Sequence, residues 1–216
     1  TGANNTAVGS ASLNKNTEGT KNTAVGNNAL RDSTLGHYNT AVGEGTLSKN
    51  TTGSHNTAIG AYALDKNTTG ISNIAIGRYA GTSSSPFLIT TESNRIVLGN
   101  NDVTNAYIKV AWTVTSDERD KTEITDLSVG LEFLNNLRPV SYQFKQGGRE
   151  SDTGDGITRY GFLAQQVLGV EGDSPVLVDK EQEENLKLKE SNLIAVLVKA
   201  VQELSAEVEL LKSQNR

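Results

Sequence analysis

The stretch Asn22-Thr23-Ala24-Val25-Gly26 decides the fold of the first part of the chain, because it recurs there at a fixed spacing. Five copies follow one another at intervals of 17 residues, and the last two carry Ile in place of Val. The copies begin at Asn5, Asn22, Asn39, Asn56 and Asn73. A fixed period of this kind indicates that each copy is one structural unit stacked on its neighbours.

Two further residue types keep the same register. Leucine recurs at Leu13, Leu30, Leu47 and Leu64, and glycine recurs at Gly19, Gly36, Gly53 and Gly70. A unit of 17 residues suits one coil of a β-solenoid with two short strands and two turns. We expect the Val/Ile and Leu side chains to point inward, while Asn, Thr and Gly supply the turns.

The composition of this part permits a different interpretation. Nearly half of residues 1–80 are Asn, Thr or Gly, and all four Phe, the single Trp and all three Pro come later. Such a composition is typical of a disordered linker. A linker, however, has no reason to hold Leu and Val in register over five copies, so the periodicity favours the solenoid.

The repeat array resembles the head repeats of trimeric autotransporter adhesins and similar repeats in phage tail fibres. The resemblance covers residues 1–81 and implies a parallel β-roll in which three chains associate. A coil this thin buries little by itself, and closed symmetric assembly is the usual remedy.

Residues 82–115 read as a β-rich connector. Residues 81–86 (Gly-Thr-Ser-Ser-Ser-Pro) break the period and predict a loop. Residues 94–99 and 106–114 follow, and the second stretch alternates, with Ile108, Val110, Trp112 and Val114 on one side. We expect Trp112 to pack in a core between subunits; stacking against a sugar is the alternative.

The rest of the chain, residues 116–216, predicts mixed α and β structure. Leucines at helical spacing over residues 127–137 indicate a helix with Asp126 as its N-cap, ended by Pro139. The further elements expected are a strand at 140–145, a polar loop at 146–158, a strand running into a short helix at 160–167, and a strand at 176–178.

Four ordered motifs in this region carry a second resemblance. They are Ser-Asp-x-Arg-x-Lys at 116–121, Leu-Arg-Pro-Val at 137–140, Gly-Phe-Leu-Ala-Gln at 161–165, and Leu-Val-Lys-Ala-Val-Gln-Glu-Leu at 197–204. Together they resemble the S74 peptidase family, the C-terminal intramolecular chaperones of phage tail spikes and fibres. The resemblance implies self-cleavage of the Thr115–Ser116 bond, with Ser116 and Lys121 as the catalytic pair.

That assignment is chemically reasonable for these side chains. A serine hydroxyl needs a base, and a lysine amine can serve when burial keeps it neutral. On an ideal helix the five-residue offset would place Lys121 about 140° around from Ser116. We therefore expect Ser116 in an extended segment before the helix, or Lys121 reaching it from another subunit. The alternative is a plain helix cap with a solvated first turn.

No metal or cofactor is predicted. His37 and His55, the only histidines, occupy different positions in the repeat, and residues 152–156 lack the spacing of a calcium loop. A net charge of −5 argues against nucleic-acid binding, and no apolar run is long enough to cross a membrane. The chain has no Cys and so no disulfides, and because it has no Met, we expect it to be the C-terminal part of a longer protein.

The last stretch, residues 192–212, predicts a coiled-coil helix. Its apolar residues are spaced alternately by three and four positions, as in a heptad seam. They are Ile194, Leu197, Val201, Leu204, Val208 and Leu211. Such a core in isolation favours dimers; the β-roll and the family resemblance favour a homotrimer. A single amphipathic helix packed on its own domain is the alternative.

These parts predict the C-terminal end of a phage tail fibre or spike. We expect its last domain to trimerise the chain, assist folding of the β-fibre and then release itself by autoproteolysis. The expected partners are two further copies, an upstream fibre shaft and a host-surface receptor, a glycan, with the virion as location. The alternatives are a surface adhesin fibre with a non-cleaving trimerisation domain, and a membrane-anchored transcription factor carrying the same protease module.

Overall fold

The computed structural model describes residues 2–146, 150–173 and 175–215. The chain divides into two compact units, and the boundary falls between Ala106 and Tyr107. The first unit contains the repeat array, and the second contains the motifs of the S74 resemblance. The loop predicted over 146–158 includes residues 147–149, which lie outside the described residues.

The first unit is a parallel β-solenoid, as the repeat predicts. Among its described residues each coil contributes one three-residue strand, and the strands form a single six-stranded sheet in chain order. They are β1 (Thr6–Val8), β2 (Thr23–Val25), β3 (Thr40–Val42), β4 (Thr57–Ile59), β5 (Ile74–Ile76) and β6 (Ile96–Leu98). Each residue pairs with its equivalent in the next coil, for example Ala24 with Ala41. The second strand expected in each coil is replaced by turns.

The interior of the solenoid is made of Ala and Leu. The central alanine of a strand, such as Ala41, and the leucine of the same coil, Leu47, are fully buried. The expectation that Val and Ile point inward is wrong. They are the third residues of the strands, so alternation turns them away from the buried alanine. They form an outer stripe, in which most members are exposed: Val8, Val25, Val42, Ile59, Ile76 and Leu98.

The turns place leucine in an unusual backbone conformation. Leu30, Leu47 and Leu64 have φ values of 49°, 52° and 52°, in the left-handed region that favours glycine. Burial of the side chain offsets the strain of roughly 1 kcal/mol. Gly26, in contrast, cannot be replaced, because φ is 137° and a Cβ there would overlap the carbonyl of Gly43 in the next coil.

Buried asparagines tie each coil to the next. The Asn22 side chain accepts a hydrogen bond from the backbone N–H of Asn39 at 2.9 Å, and its amide donates to the Gly36 carbonyl at 2.7 Å. Asn39 repeats both bonds with Asn56 and Gly53. Because buried polar groups are costly unless paired, this column specifies the register. The sequence assigned these asparagines to turns, and the structure adds this role.

The solenoid extends further than the repeat. β6 pairs with β5 in parallel, although 22 residues rather than 17 separate equivalent positions such as Asn73 and Arg95. The added residues belong to the loop predicted at 81–86. Behind it, Phe87 and Ile89 are buried and join the core of the last coils. Part of the predicted connector, up to Leu98, thus belongs to the sheet.

The second unit opens with irregular chain. The strand predicted over residues 106–114 is absent: the segment forms no strand, bends at Lys109 and Val110, and is exposed throughout. Helix α1 spans Leu131–Asn136 and begins after Gly130. The prediction that it starts near Leu127 with Asp126 as N-cap is therefore wrong, because Leu127 lies in the irregular chain.

The remaining elements follow the prediction closely. Strand β7 (Val140–Tyr142) pairs with β8 (Arg159–Gly161) in antiparallel fashion, and helix α2 spans Ala164–Glu171. Strand β9 (Val178–Asp179) pairs with β10 (Lys187–Leu188), which the sequence did not reveal. Helix α3 spans Leu193–Gln214. In the described part of the chain no helix has the length and apolar character needed to cross a bilayer.

A small core holds the second unit together. Val167 of α2, Leu177, Val178 of β9 and Leu193 of α3 are buried against one another. Partly buried side chains surround them, among them Phe133, Leu134, Leu137 and Phe162. The Glu171 carboxylate fixes the end of α2 by accepting hydrogen bonds from the backbone N–H groups of Val176, Leu177 and Val178 at 2.7–2.9 Å. The core thus joins α2 and the β9–β10 hairpin to α3.

Candidate functional site

A short 3-10 helix, Glu118–Asp120, shapes the candidate site. Asp117 precedes it as the N-cap, and its side chain accepts the backbone N–H of Arg119 at 2.9 Å. Lys121 follows as the C-cap in an extended conformation, with its N–H donating to the Glu118 carbonyl. A 3-10 helix has three residues per turn, so one turn returns the chain to the side of Ser116.

The turn brings together the two residues predicted to act. Lys121 Nζ lies 2.8 Å from Ser116 Oγ and 3.1 Å from the Ser116 carbonyl oxygen. Ser116 precedes the helix, and both residues belong to the same chain. Of the two arrangements expected from the five-residue offset, the structure contains the contact within one chain, with Ser116 ahead of the helix. The helix cap, offered as an alternative role for this serine, is supplied instead by Asp117.

Asp117 and Arg119 form an ion pair next to the Ser116–Lys121 contact. Arg119 Nε donates to Asp117 Oδ1 at 3.0 Å and Nη2 donates to Oδ2 at 2.6 Å. This pairing lowers the pKa of the Asp117 carboxyl and raises the pKa of the Arg119 guanidinium. The Asp117 carboxylate therefore has its own cation, and Lys121 is directed to Ser116.

The geometry is suitable for proton transfer between hydroxyl and amine. A contact of 2.8 Å lies within the range of 2.6–3.2 Å, roughly, that a general base needs. Both residues and Thr115 are exposed in the single chain. Water competes for an exposed pair, and a lysine amine becomes neutral only when its surroundings disfavour the charge. Proton transfer from Ser116 to Lys121 would therefore require that the pair be covered.

The other residues considered from the sequence are engaged elsewhere. His37 Nδ1 lies 3.0 Å from the backbone nitrogen of Thr20, and the His55 ring stacks on Tyr38 with centroids 4.9 Å apart. Within residues 152–156, the segment compared above with a calcium loop, Asp155 pairs with Arg159 at 2.8 Å. Across residues 2–146, 150–173 and 175–215, no group of three or more His, Asp or Glu could hold a metal ion.

Comparison with known families agrees with this geometry. Residues 116–175 match the family model Peptidase_S74, described as the chaperone of endosialidase. This segment is therefore similar to the S74 family. The match begins at Ser116, the residue that follows the bond predicted to be cut, and it confirms the resemblance found in the sequence. No curated protein and no solved structure matches the chain.

One contact of the second unit was not foreseen. The Glu203 carboxylate on α3 accepts the backbone N–H of Leu131, the first residue of α1, at 2.7 Å. Gly130 makes room for it, because a Cβ at that position would overlap the carboxylate. The contact joins residues 72 positions apart, so no local pattern could have revealed it. It links the helix that carries the seam to the chain that follows Lys121.

Proposed function

We propose that the chain is the C-terminal part of a phage tail fibre or spike that trimerises, folds and then cuts itself. The Ser116–Lys121 contact of 2.8 Å is the observation that carries this proposal. The S74 match and the parallel β-solenoid support it, because together they join a fibre to a chaperone domain.

The proposed reaction begins when the neutral amine of Lys121 takes the proton of Ser116 Oγ. The oxygen attacks the carbonyl carbon of Thr115, an attack favoured by its position directly after the bond. The Thr115–Ser116 C–N bond then breaks, and the Lys121 ammonium returns the proton to the departing nitrogen. An ester between Thr115 and Ser116 Oγ remains. Water hydrolyses it to a Thr115 carboxylate and a free Ser116 hydroxyl.

Two apolar faces without a partner in the single chain support the homotrimer. The first is the outer stripe of the solenoid. The second is the seam of α3, in which all six residues from Ile194 to Leu211 are exposed. The buried residues of α3 are Leu193, Val196 and Ala200, on the face that adjoins the seam. Packing of α3 on its own domain therefore leaves the seam available for other copies.

Trimerisation explains why a fibre would carry a removable domain. Parallel strands of a fibre make non-local contacts and form slowly. A module that joins three chains first raises their local concentration and sets their register. Once the fibre has formed, release of residues 116–216 leaves a product that cannot unfold along its assembly route, which is kinetic stability. The array favours a virion fibre, and the proposed receptor of the full fibre is a host-surface glycan.

Denaturing gel electrophoresis and intact mass spectrometry of the expressed chain test the reaction. We expect fragments spanning residues 1–115 and 116–216 from the natural chain, and one uncut chain from Ser116→Ala and from Lys121→Ala. Lys49→Ala, which removes an exposed lysine in the solenoid, is the matched control and should be cut normally. Normal cutting of Lys121→Ala would refute the pair.

The exposure of the Ser116–Lys121 pair in the single chain supports a second candidate function. A surface adhesin fibre would use the same solenoid and seam without cleavage. A natural chain that forms stable trimers but stays whole over days would favour that function.

A further inference from the structure

The segment Tyr107–Val114 stands apart from the rest of the second unit. No backbone hydrogen bond joins it to any described residue, and every one of its side chains is exposed. Trp112, the only Trp of the chain, is 75% exposed. Four large apolar side chains within eight residues is a high density for chain in contact with water.

The pattern of this segment is that of a strand with one dry side. In a strand, Ile108, Val110, Trp112 and Val114 would share one side, and Tyr107, Lys109, Ala111 and Thr113 the other. Each of the four apolar side chains is exposed by more than half in the single chain. The segment thus has the side chains of a paired strand but lacks the partner that would supply its hydrogen bonds.

We propose that residues 107–114 pair with the same residues of other copies of this chain, with Ile108, Val110, Trp112 and Val114 facing their shared axis. This inference rests on the homotrimer of the proposed function. The segment lies in sequence between the outer stripe and the α3 seam. Copies that meet at both of these surfaces hold their segments close together, parallel and in register, at a high effective concentration.

Charge decides which side faces the axis. The opposite orientation would bring Lys109 of every copy together, and converging like charges oppose association. The apolar orientation leaves Lys109 in water and removes the Trp112 indole from it. Val114 is one residue before Thr115, so pairing also fixes the carbonyl that Ser116 attacks. Cleavage would then respond to the pairing of this segment.

Cysteine cross-linking tests the orientation, because the chain has no natural cysteine. Val110→Cys places a thiol on the inner side of the segment, and Ala111→Cys places one on the outer side. A disulfide forms only when the two Cα atoms approach within about 7 Å. We expect Val110→Cys to give disulfide-linked dimers on non-reducing denaturing gels, with the third chain unlinked. Ala111→Cys is the matched control and should remain monomeric on the gel.

The mass of the same samples in solution separates the two hypotheses. A trimer in which Ala111→Cys cross-links as well as Val110→Cys, or in which neither does, overturns the inference and leaves the proposed function intact. A monomer overturns both. The natural chain offers a test without substitution: Trp112 emission should shift to shorter wavelength and resist acrylamide several-fold better than in urea. Emission equal to that of the unfolded chain would overturn the pairing.

Discussion

Ser33 interrupts a column of buried side chains in the solenoid. Asn16, Asn50 and Asn67 occupy the equivalent position in other coils, and Asn67 Nδ2 donates to Asn50 Oδ1 at 2.8 Å. Ser33 is fully buried, and its hydroxyl has no hydrogen-bond partner among the described residues. Asn16 Oδ1 is unpaired as well, because serine has no amide to donate to it. The column is therefore broken at Ser33, and beyond Asn50 it ends at Asn67, whose Oδ1 also has no partner among the described residues.

Ser33→Asn should stabilise the solenoid. The new amide would donate to Asn16 Oδ1 and accept from Asn50, and each hydrogen bond contributes about 1 kcal/mol. We expect the urea midpoint to rise by the equivalent of about 1–2 kcal/mol. Ser33→Ala, which removes the unpaired hydroxyl and restores nothing, is the control and should change little. A Ser33→Asn protein less stable than the natural chain would contradict this account.

Asp32 contributes stability that depends on pH. Hydrogen bonds from Arg31, at 2.6 and 3.1 Å, and the Lys15 ammonium lower the pKa of the Asp32 carboxyl from 3.8 to about 2. A lowered pKa stabilises the fold above the unfolded value and loses that contribution as the pH falls through the folded value. Because Lys15 is 62% exposed, solvent screening reduces the contribution to about 1 kcal/mol.

Asp32→Asn should therefore weaken the solenoid at neutral pH but much less in acid. Urea unfolding of the two proteins at about pH 7 should differ by about 1 kcal/mol, and only a small part of that difference should remain at about pH 2, the pKa in the folded state. An equal difference at both pH values would show that packing, rather than charge, stabilises this position.

At the scale of elements, the sequence predicted the solenoid because its signal repeats. The prediction that Leu is buried was correct, and the prediction that Val and Ile point inward was wrong. The strands are only three residues long, and hydrophobicity alone does not reveal which of the three residues points inward. Alanine occupies that place because the coil is too thin for more. The strand expected at 106–114 is absent from the single chain, and the pairing with other copies proposed above would account for its pattern.

The candidate site, like the fold, has one part that the sequence predicted and one part that it did not. Ser116 and Lys121 could be named because they lie five residues apart in a motif that resembles a family, and a single turn brings them together. The Glu203 contact could not be predicted, because it joins distant residues through the packing of α1 on α3.

Glu203→Gln should loosen the start of α1. The neutral amide accepts the Leu131 N–H more weakly than the carboxylate, a loss of about 1 kcal/mol. We expect faster hydrogen exchange at the Leu131 amide in the uncut Ser116→Ala background. Glu207→Gln, an exposed change one turn further along α3, should leave this amide as it was. Unchanged exchange in Glu203→Gln would show that the contact does not hold α1.

At the scale of the whole molecule, assembly and cleavage should respond to the α3 seam together. Leu204→Lys places a charge at a d position, where the copies would meet, and should abolish both the trimer and the cut. Ala206→Lys adds the same charge on the opposite face of α3 and should leave both unchanged. Light scattering measures the trimer, and a denaturing gel measures the cut. A Leu204→Lys protein that is monomeric but still cut would show that cleavage does not depend on assembly.

The uniform coil has a consequence for heredity. Every unit presents to the next the same surface that it receives, so one unit can be gained or lost without disturbing those on either side. A duplication or deletion of 17 codons alters the solenoid by one rung, about 4.8 Å, whereas a change of another size misaligns the Asn and Leu columns. Selection can therefore adjust the reach of this protein in fixed steps, through copy number alone.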